Sequence, residues 1–317
     1  MAASTFRFAL LASALAAWGA PVQAMTTIDV LWYTYADPTS EYRTTGVPGL
    51  AARSASDPMS SGLNWNVTFW APHDPVPDFA AYDVLFVATG EAFRTGAAGG
   101  STNATPDYSG ILNNKAAIAA ARGERTLIDG ADAEFHAIRG DSGNCAPFSG
   151  CSRWDGAVGH VVNAVNWAGS GHGLGVVASL DGEFAGSYWW NNANSFLHDE
   201  LGNSVAYFRE NRPVIGAAEA AYPLNGGLTS LGLSNWRNSF HAGFLHGAVP
   251  GYSEVVGSTV HPDYSVAIAT SRFIGAPTAP LAAVPEPATW ALMLAGLALV
   301  GAARRRREKG EAVSKRV

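Results

Sequence analysis

The run Tyr82-Asp83-Val84-Leu85-Phe86-Val87-Ala88-Thr89-Gly90 limits what this chain can fold into more than any other feature. Its centre is apolar without a break, so an extended strand there must be covered on both faces. Shorter runs of the same kind occupy residues 28–35, 66–70, 126–129 and 175–179. Helical patterns lie between them. Residues 113–122 are Ala-rich and end at Gly123, a C-cap signal. From Trp154 to Ala168, the residues Val158, Val161, Val162, Val165 and Ala168 recur at helical spacing, and Gly169 follows. Strands alternating with helices predict an α/β three-layer sandwich with a mostly parallel central sheet. Val255-Val256 and Val266 to Ala269 predict a pair of strands at one edge of that sheet.

Both ends of the chain read as addresses. Arg7, the apolar stretch Phe8 to Ala17 and Val22-Gln23-Ala24 form the three parts of a secretory signal peptide, residues 1–24. The body is expected over 25–275, with a Pro- and Ala-rich linker over 276–283. Val284-Pro285-Glu286-Pro287 comes next, then the uncharged stretch 288–303, then Arg304, Arg305, Arg306 and Arg307. A helix over 288–303 would span roughly 24 Å, short of the roughly 30 Å hydrocarbon core. It is expected to insert as a transmembrane helix in a thinned or snorkelled setting, with the arginines and the tail 308–317 cytoplasmic.

Removing the two ends changes the charge. One of the 20 Lys+Arg lies in the first 24 residues and seven lie from Arg304 onward, which leaves 12 in the body. Three of the 26 Asp+Glu lie from Glu286 onward, which leaves 23, so the body is near −11. It has no basic run, and nucleic acid is excluded as a partner on that ground. The two cysteines, Cys145 and Cys151, sit six positions apart in a loop-like stretch. In an exported chain they are expected to form a disulfide.

The order of Pro285, Glu286, Pro287, hydrophobic helix and arginine cluster resembles the PEP-CTERM sorting domain. That resemblance implies a Gram-negative protein cut by an exosortase-type enzyme. It implies passage through an inner-membrane intermediate to the cell surface or the extracellular matrix, where polysaccharide and biofilm components are partners. The ten residues after the arginines are longer than the usual stub. The body's strand-helix layout, with Tyr82 to Val87, Gly90 and then Thr126-Leu127-Ile128-Asp129-Gly130, resembles the flavodoxin-like layer of the class I glutamine amidotransferase-like superfamily and its ThuA-like branch. The nucleophilic cysteine of that family's elbow is missing here, because the chain reads Asp129-Gly130-Ala131-Asp132.

That same turn holds the densest polar cluster: Asp129, Asp132, Glu134, His136 and Asp141. At the carboxyl end of a strand it stands where open α/β sheets bind ligands. Asp129, Asp132 and His136 are the catalytic candidates, since carboxylates with a histidine suit a hard divalent metal or general acid-base work; the alternative is a polar loop with a helix cap and solvated acids. No complete ligand set is visible along the chain, so neither a metal nor a cofactor is assigned. His160, inside the predicted helix, is expected to be packed or at the surface, and Gly169 to Gly175 to be a flexible connection, since a phosphate loop would follow a strand. Ser239, His241 and His246 lie close together without a nucleophile-elbow motif. Trp189, Trp190 and Asn191 combine rings and an amide as sugar sites do; the alternative is core packing. Two functions follow. The first is a non-catalytic surface or matrix protein that binds polysaccharide. The second is a surface hydrolase acting on carbohydrate-related material.

Overall fold

Among the described residues nine strands build one sheet: β1 (Thr27–Tyr33), β2 (Asn64–Trp70), β3 (Val84–Val87), β4 (Arg122–Asp129), β5 (Leu174–Ser179), β6 (Val205–Glu210), β7 (Phe240–Leu245), β8 (Tyr252–Gly257) and β9 (Tyr264–Thr270). The helices are α1 (Val47–Ser56), α2 (Ser109–Asn113), α3 (Lys115–Ala121), α4 (Ala133–Arg139), α5 (Asp155–Gly169) and α6 (His198–Leu201). The structure, a computed structural model, describes residues 27–35, 38–40, 42–56, 63–88, 106–139, 155–180, 189–234, 240–276 and 278. The expected signal peptide, the stretch 288–303, the sorting motif, Asp141 and the Cys145–Cys151 pair lie outside these residues. Among the described residues no helix is long and apolar enough to cross a membrane.

The continuous apolar strands are explained by two cores. Along β1, Ile28, Val30 and Trp32 face one core while Leu31 and Tyr33 face the other. β3 repeats the pattern, with Val84 and Phe86 on the first side and Leu85 and Val87 on the second. Trp32 stacks on Phe86 with ring centres 3.9 Å apart. The first core is closed by Val47 and Leu50 of α1 and by Ala157, Val161, Val162 and Val165 of α5. The second is closed by Ile111 of α2, Ile118 of α3, Leu201 of α6 and the rings of Trp189 and Trp190. α5 lies across the centre of the sheet against β1, β3, β4 and β5. Its buried amide Asn166 is engaged there, since Oδ1 accepts from Trp65 Nε1 at 2.6 Å and from Ser54 Oγ at 3.1 Å.

The strand order is β2-β1-β3-β5-β4-β9-β7-β6, with β8 paired to β9. Two expectations are corrected by it. The sheet is mixed and not mostly parallel: β2, β1, β3, β5 and β4 run parallel, and β9, β8, β7 and β6 pair antiparallel. The cause is chain length between strands. The six residues 258–263 between β8 and β9 are too few for a helical crossover, which needs a dozen or more residues, so these two strands pair antiparallel. The order also departs from the flavodoxin-like 2-1-3-4-5 pattern, because β5 lies between β3 and β4. The expected strands at 255–256 and 266–269 do pair, as β8 and β9. The expected 113–122 helix is present as α3, with α2 just before it, and Gly123 falls inside β4.

β9 joins the two halves. β8 occupies one of its edges. The other edge is shared by β7 near Tyr264 and Ser265 and by β4 along Ala267 to Ala269. The carboxyl end of β4 therefore runs up against β7, and the polar cluster stands at that seam.

Candidate functional site

β4 ends at Asp129, and the next residue must pass close to foreign backbone. Gly130 N donates to Val266 O at 2.9 Å, and Gly130 O accepts from His241 N at 2.8 Å and Ala242 N at 3.0 Å. A Cβ on residue 130 would lie 2.0 Å from Ala242 O, so glycine is required by space alone. Ala131 then bridges Phe240 of β7. The chain turns into α4 at Asp132, whose carbonyl accepts from Phe135 N and His136 N at 2.9 and 3.2 Å. Residues four apart share a helix face. The His136 ring thus comes back over Asp132, with Nε2 3.1 Å from Oδ1.

A third group arrives from β7. His241 Nε2 lies 3.6 Å from the same Asp132 oxygen. Asp132, His136 and His241 are 3%, 5% and 6% exposed, and one ligand atom from each lies within 4.8 Å of the others. Asp132 Oδ1 is buried yet makes no well-aligned hydrogen bond. Burial acts to raise the pKa of this carboxyl. The nearby His136 and His241 imidazoles outweigh burial and hold it below the usual carboxylate range.

A second acid-imidazole pair adjoins the first along the chain. Asp129 Oδ2 lies 2.7 Å from His160 Nε2, and Asp129 Oδ1 accepts from Ala131 N at 3.1 Å. The His160 ring meets Phe240 edge-on. Glu134 is fully buried on the other side of the turn, 3.3 Å from Ser179 Oγ, which also donates to Ala131 O. Carboxylates paired with imidazoles in a buried setting can take, hold and return protons, and a ring nitrogen with a carboxylate oxygen can also ligate a cation.

Of the residues singled out in the sequence, Asp129, Asp132, Glu134 and His136 lie on this turn. His160 and His241 were not assigned to it. His160 is a polar residue on a nearly all-buried helix, and that was the available signal. His241 left no local signal, because its place follows from β7 meeting the end of β4. Trp189 and Trp190 are 2% and 1% exposed. Their rings pack against Tyr108, Phe196 and Tyr207, so they offer no open face to a sugar; Asn191, Asn192 and Asn194 beside them are exposed. His246 Nε2 lies 2.9 Å from Glu254 Oε2, in a cleft of about 350 Å³ that also holds Tyr252 and Ser265 and shares no residue with the seam cluster. Ser239 lies outside the described residues. Gly169 to Gly175 connects α5 to β5, with Gly173 at φ 73°.

Comparison with known families places the PEP-CTERM protein-sorting motif at residues 283–307. The match includes Pro285, Glu286, Pro287 and Arg304 to Arg307. This motif indicates an exported bacterial protein that an exosortase processes and that is sorted to the cell surface. No curated protein and no solved structure matches the chain.

Proposed function

We propose that the exported body is a surface hydrolase acting on carbohydrate-related material, with its reaction centre at the carboxyl end of β4. The convergence of Asp129, Asp132, His136, His160 and His241 on one buried turn is the observation that supports it. Asp129 orients the His160 ring through the 2.7 Å contact, as a carboxylate fixes an imidazole in general acid-base sites. In the reaction, water attacks the electrophilic carbon and gives a proton to the imidazole. The bond to the leaving group breaks, and the imidazolium returns a proton to the leaving oxygen. The sorting signal brings the body to a polysaccharide-rich surface. Its charge near −11 favours neutral over polyanionic glycans.

Turnover by the mature body over a panel of chromogenic glycosides and sugar esters tests this reading. Asp129→Asn should lower kcat/KM by about 100-fold or more, the usual scale of general acid-base catalysis, with unchanged circular dichroism. Unchanged turnover in that variant, or no turnover across the panel, overturns the hydrolase reading.

A second reading, a non-catalytic matrix protein that binds polysaccharide, is favoured by the exposed amides of Asn191, Asn192 and Asn194. Pull-down on insoluble glycans that is lost in an Asn191→Ala, Asn192→Ala double variant would support it. In either reading the proposed route is cleavage after Ala24, a transient membrane stage through 288–303, and release near Pro285 to Pro287. Identical processing of a Pro285→Ala, Glu286→Ala, Pro287→Ala variant would remove the route.

A further inference from the structure

We infer that Asp132, His136 and His241 form a binding site for a divalent transition-metal ion of the zinc or iron(II) class. The inference deepens the hydrolase reading, because it concerns the same turn, but it rests on separate geometry. Two imidazole nitrogens and one carboxylate oxygen converge from two distant parts of the chain, all buried. Ligands bound at about 2.0–2.1 Å to a tetrahedral zinc stand about 3.3 Å apart. The two separations from Asp132 Oδ1, 3.1 and 3.6 Å, bracket that spacing.

The neighbouring pair supplies an internal comparison. Asp129 and His160 close to a single contact of 2.7 Å, as a carboxylate and an imidazole do when they hydrogen-bond each other. Asp132 does otherwise. Its Oδ1 is shared between two ring nitrogens at longer range and makes no well-aligned hydrogen bond to either. A buried carboxylate oxygen left in that state is costly unless something else meets it. A cation placed between the three donors meets all of them at once. Two imidazoles disfavour calcium and magnesium, which prefer oxygen, and suit zinc or iron(II). Three protein ligands also leave a coordination position open, the pattern of a reactive site and not of a purely structural one.

Cobalt(II) titration of the chelator-stripped mature body tests the site, because cobalt in a low-coordinate nitrogen-oxygen site absorbs visibly and zinc displaces it. The wild type should develop the band at one equivalent and lose it to zinc. His241→Gln and Asp132→Asn should each weaken binding by more than about 100-fold, beyond the 10–100-fold scale of outer-shell changes. His246→Ala, in the separate cleft, should bind as the wild type does. Zinc should also raise the melting temperature of the wild type and not of Asp132→Asn, a readout that needs no catalysis. Absence of the band in the wild type, or its persistence in His241→Gln, overturns the site. The two readings fail separately. A cobalt band without turnover keeps the site and removes the hydrolase. Turnover that survives chelation, with no band, removes the site and keeps the hydrolase.

Discussion

β1, β3, β5 and β4 run parallel and are covered on both faces, whereas β6 at the far side of the antiparallel half alternates between half-exposed and exposed positions before Glu210. The first half is held by apolar side chains drawn from two cores. β7, β8 and β9 enter the same cores, while β6 at the edge is held also by fixed polar contacts. Glu210 is fully buried and accepts from Ser258 Oγ, Thr259 N and Val260 N, each at 2.7 Å, and from Arg212 N at 2.8 Å. Neither half alone contains the acid-imidazole cluster: Asp129, Asp132, His136 and His160 come with the parallel half, and His241 comes with the antiparallel one.

The seam between the halves is pinned along its length, and each pin can be removed. The largest loss is expected from Gly130→Val. Its Cβ would collide with the Ala242 carbonyl, which is backbone and cannot swing away. Destabilisation of about 3 kcal/mol or more is expected from overpacking of that kind, with urea unfolding split into two transitions as the halves uncouple. A single transition with an unchanged midpoint would show that the halves do not depend on this junction.

Next, away from the seam and within the antiparallel half, comes Glu210→Ala, which leaves backbone donors without an acceptor and should cost about 2–3 kcal/mol. Burial tends to raise the pKa of Glu210, but the bonds from Ser258, Val260, Arg212 and Thr259 prevail and lower it. A lowered folded pKa contributes stability that is present above the unfolded glutamate value and is lost as pH falls through the folded one. The gap between wild type and variant should therefore be full at neutral pH and narrow only below the ordinary glutamate range. A gap that widens on acidification would contradict the assignment.

A smaller effect is expected at the start of the seam. Arg122 forms a bidentate pair with Glu200 of α6, and Tyr252 Oη of β8 donates to Glu200 Oε2 at 2.6 Å. Arg122→Ala should cost about 1–2 kcal/mol in chemical denaturation, since the group is charge-assisted but partly solvated. The least is expected from Thr270→Val. The Thr270 hydroxyl donates to Glu124 O at 3.0 Å and accepts from Thr126 N at 3.3 Å, so about 1 kcal/mol or less should be lost. If Thr270→Val proved worse than Gly130→Val, the seam would be anchored at its opening and not at the cluster.

The same division decided how much could be read from the chain. The runs at 28–35, 82–90 and 175–179 announce strands because two covered faces leave no place for polar residues. Val205 to Glu210 does not announce β6, since a half-exposed edge strand tolerates Tyr207 and Arg209. Near-continuous apolar runs predict a mostly parallel sheet; the short connection at 258–263 carries the contrary sign. Asp132 and His136 are visible as a pair because four residues make one helical turn. His241 is not, because no periodicity links it to residue 132. The Trp189-Trp190 pair shows the limit of composition: the same rings that stack on sugars also fill cores.

The junction at Gly130 has a consequence for the order in which the protein matures. β4 finds its antiparallel neighbour only in β9, and Asp132 finds its second imidazole only in β7. An exported chain that emerges from its amino end can complete β1, β2, β3, β5 and their helices while the cluster is still open. Contacts between such distant segments form slowly, since loop closure precedes their reward. The last strand ends at Thr270, shortly before the sorting motif begins at residue 283. Completion of the cluster and presentation of the sorting signal are thus adjacent events in the life of the chain, with only residues 271–282 between them.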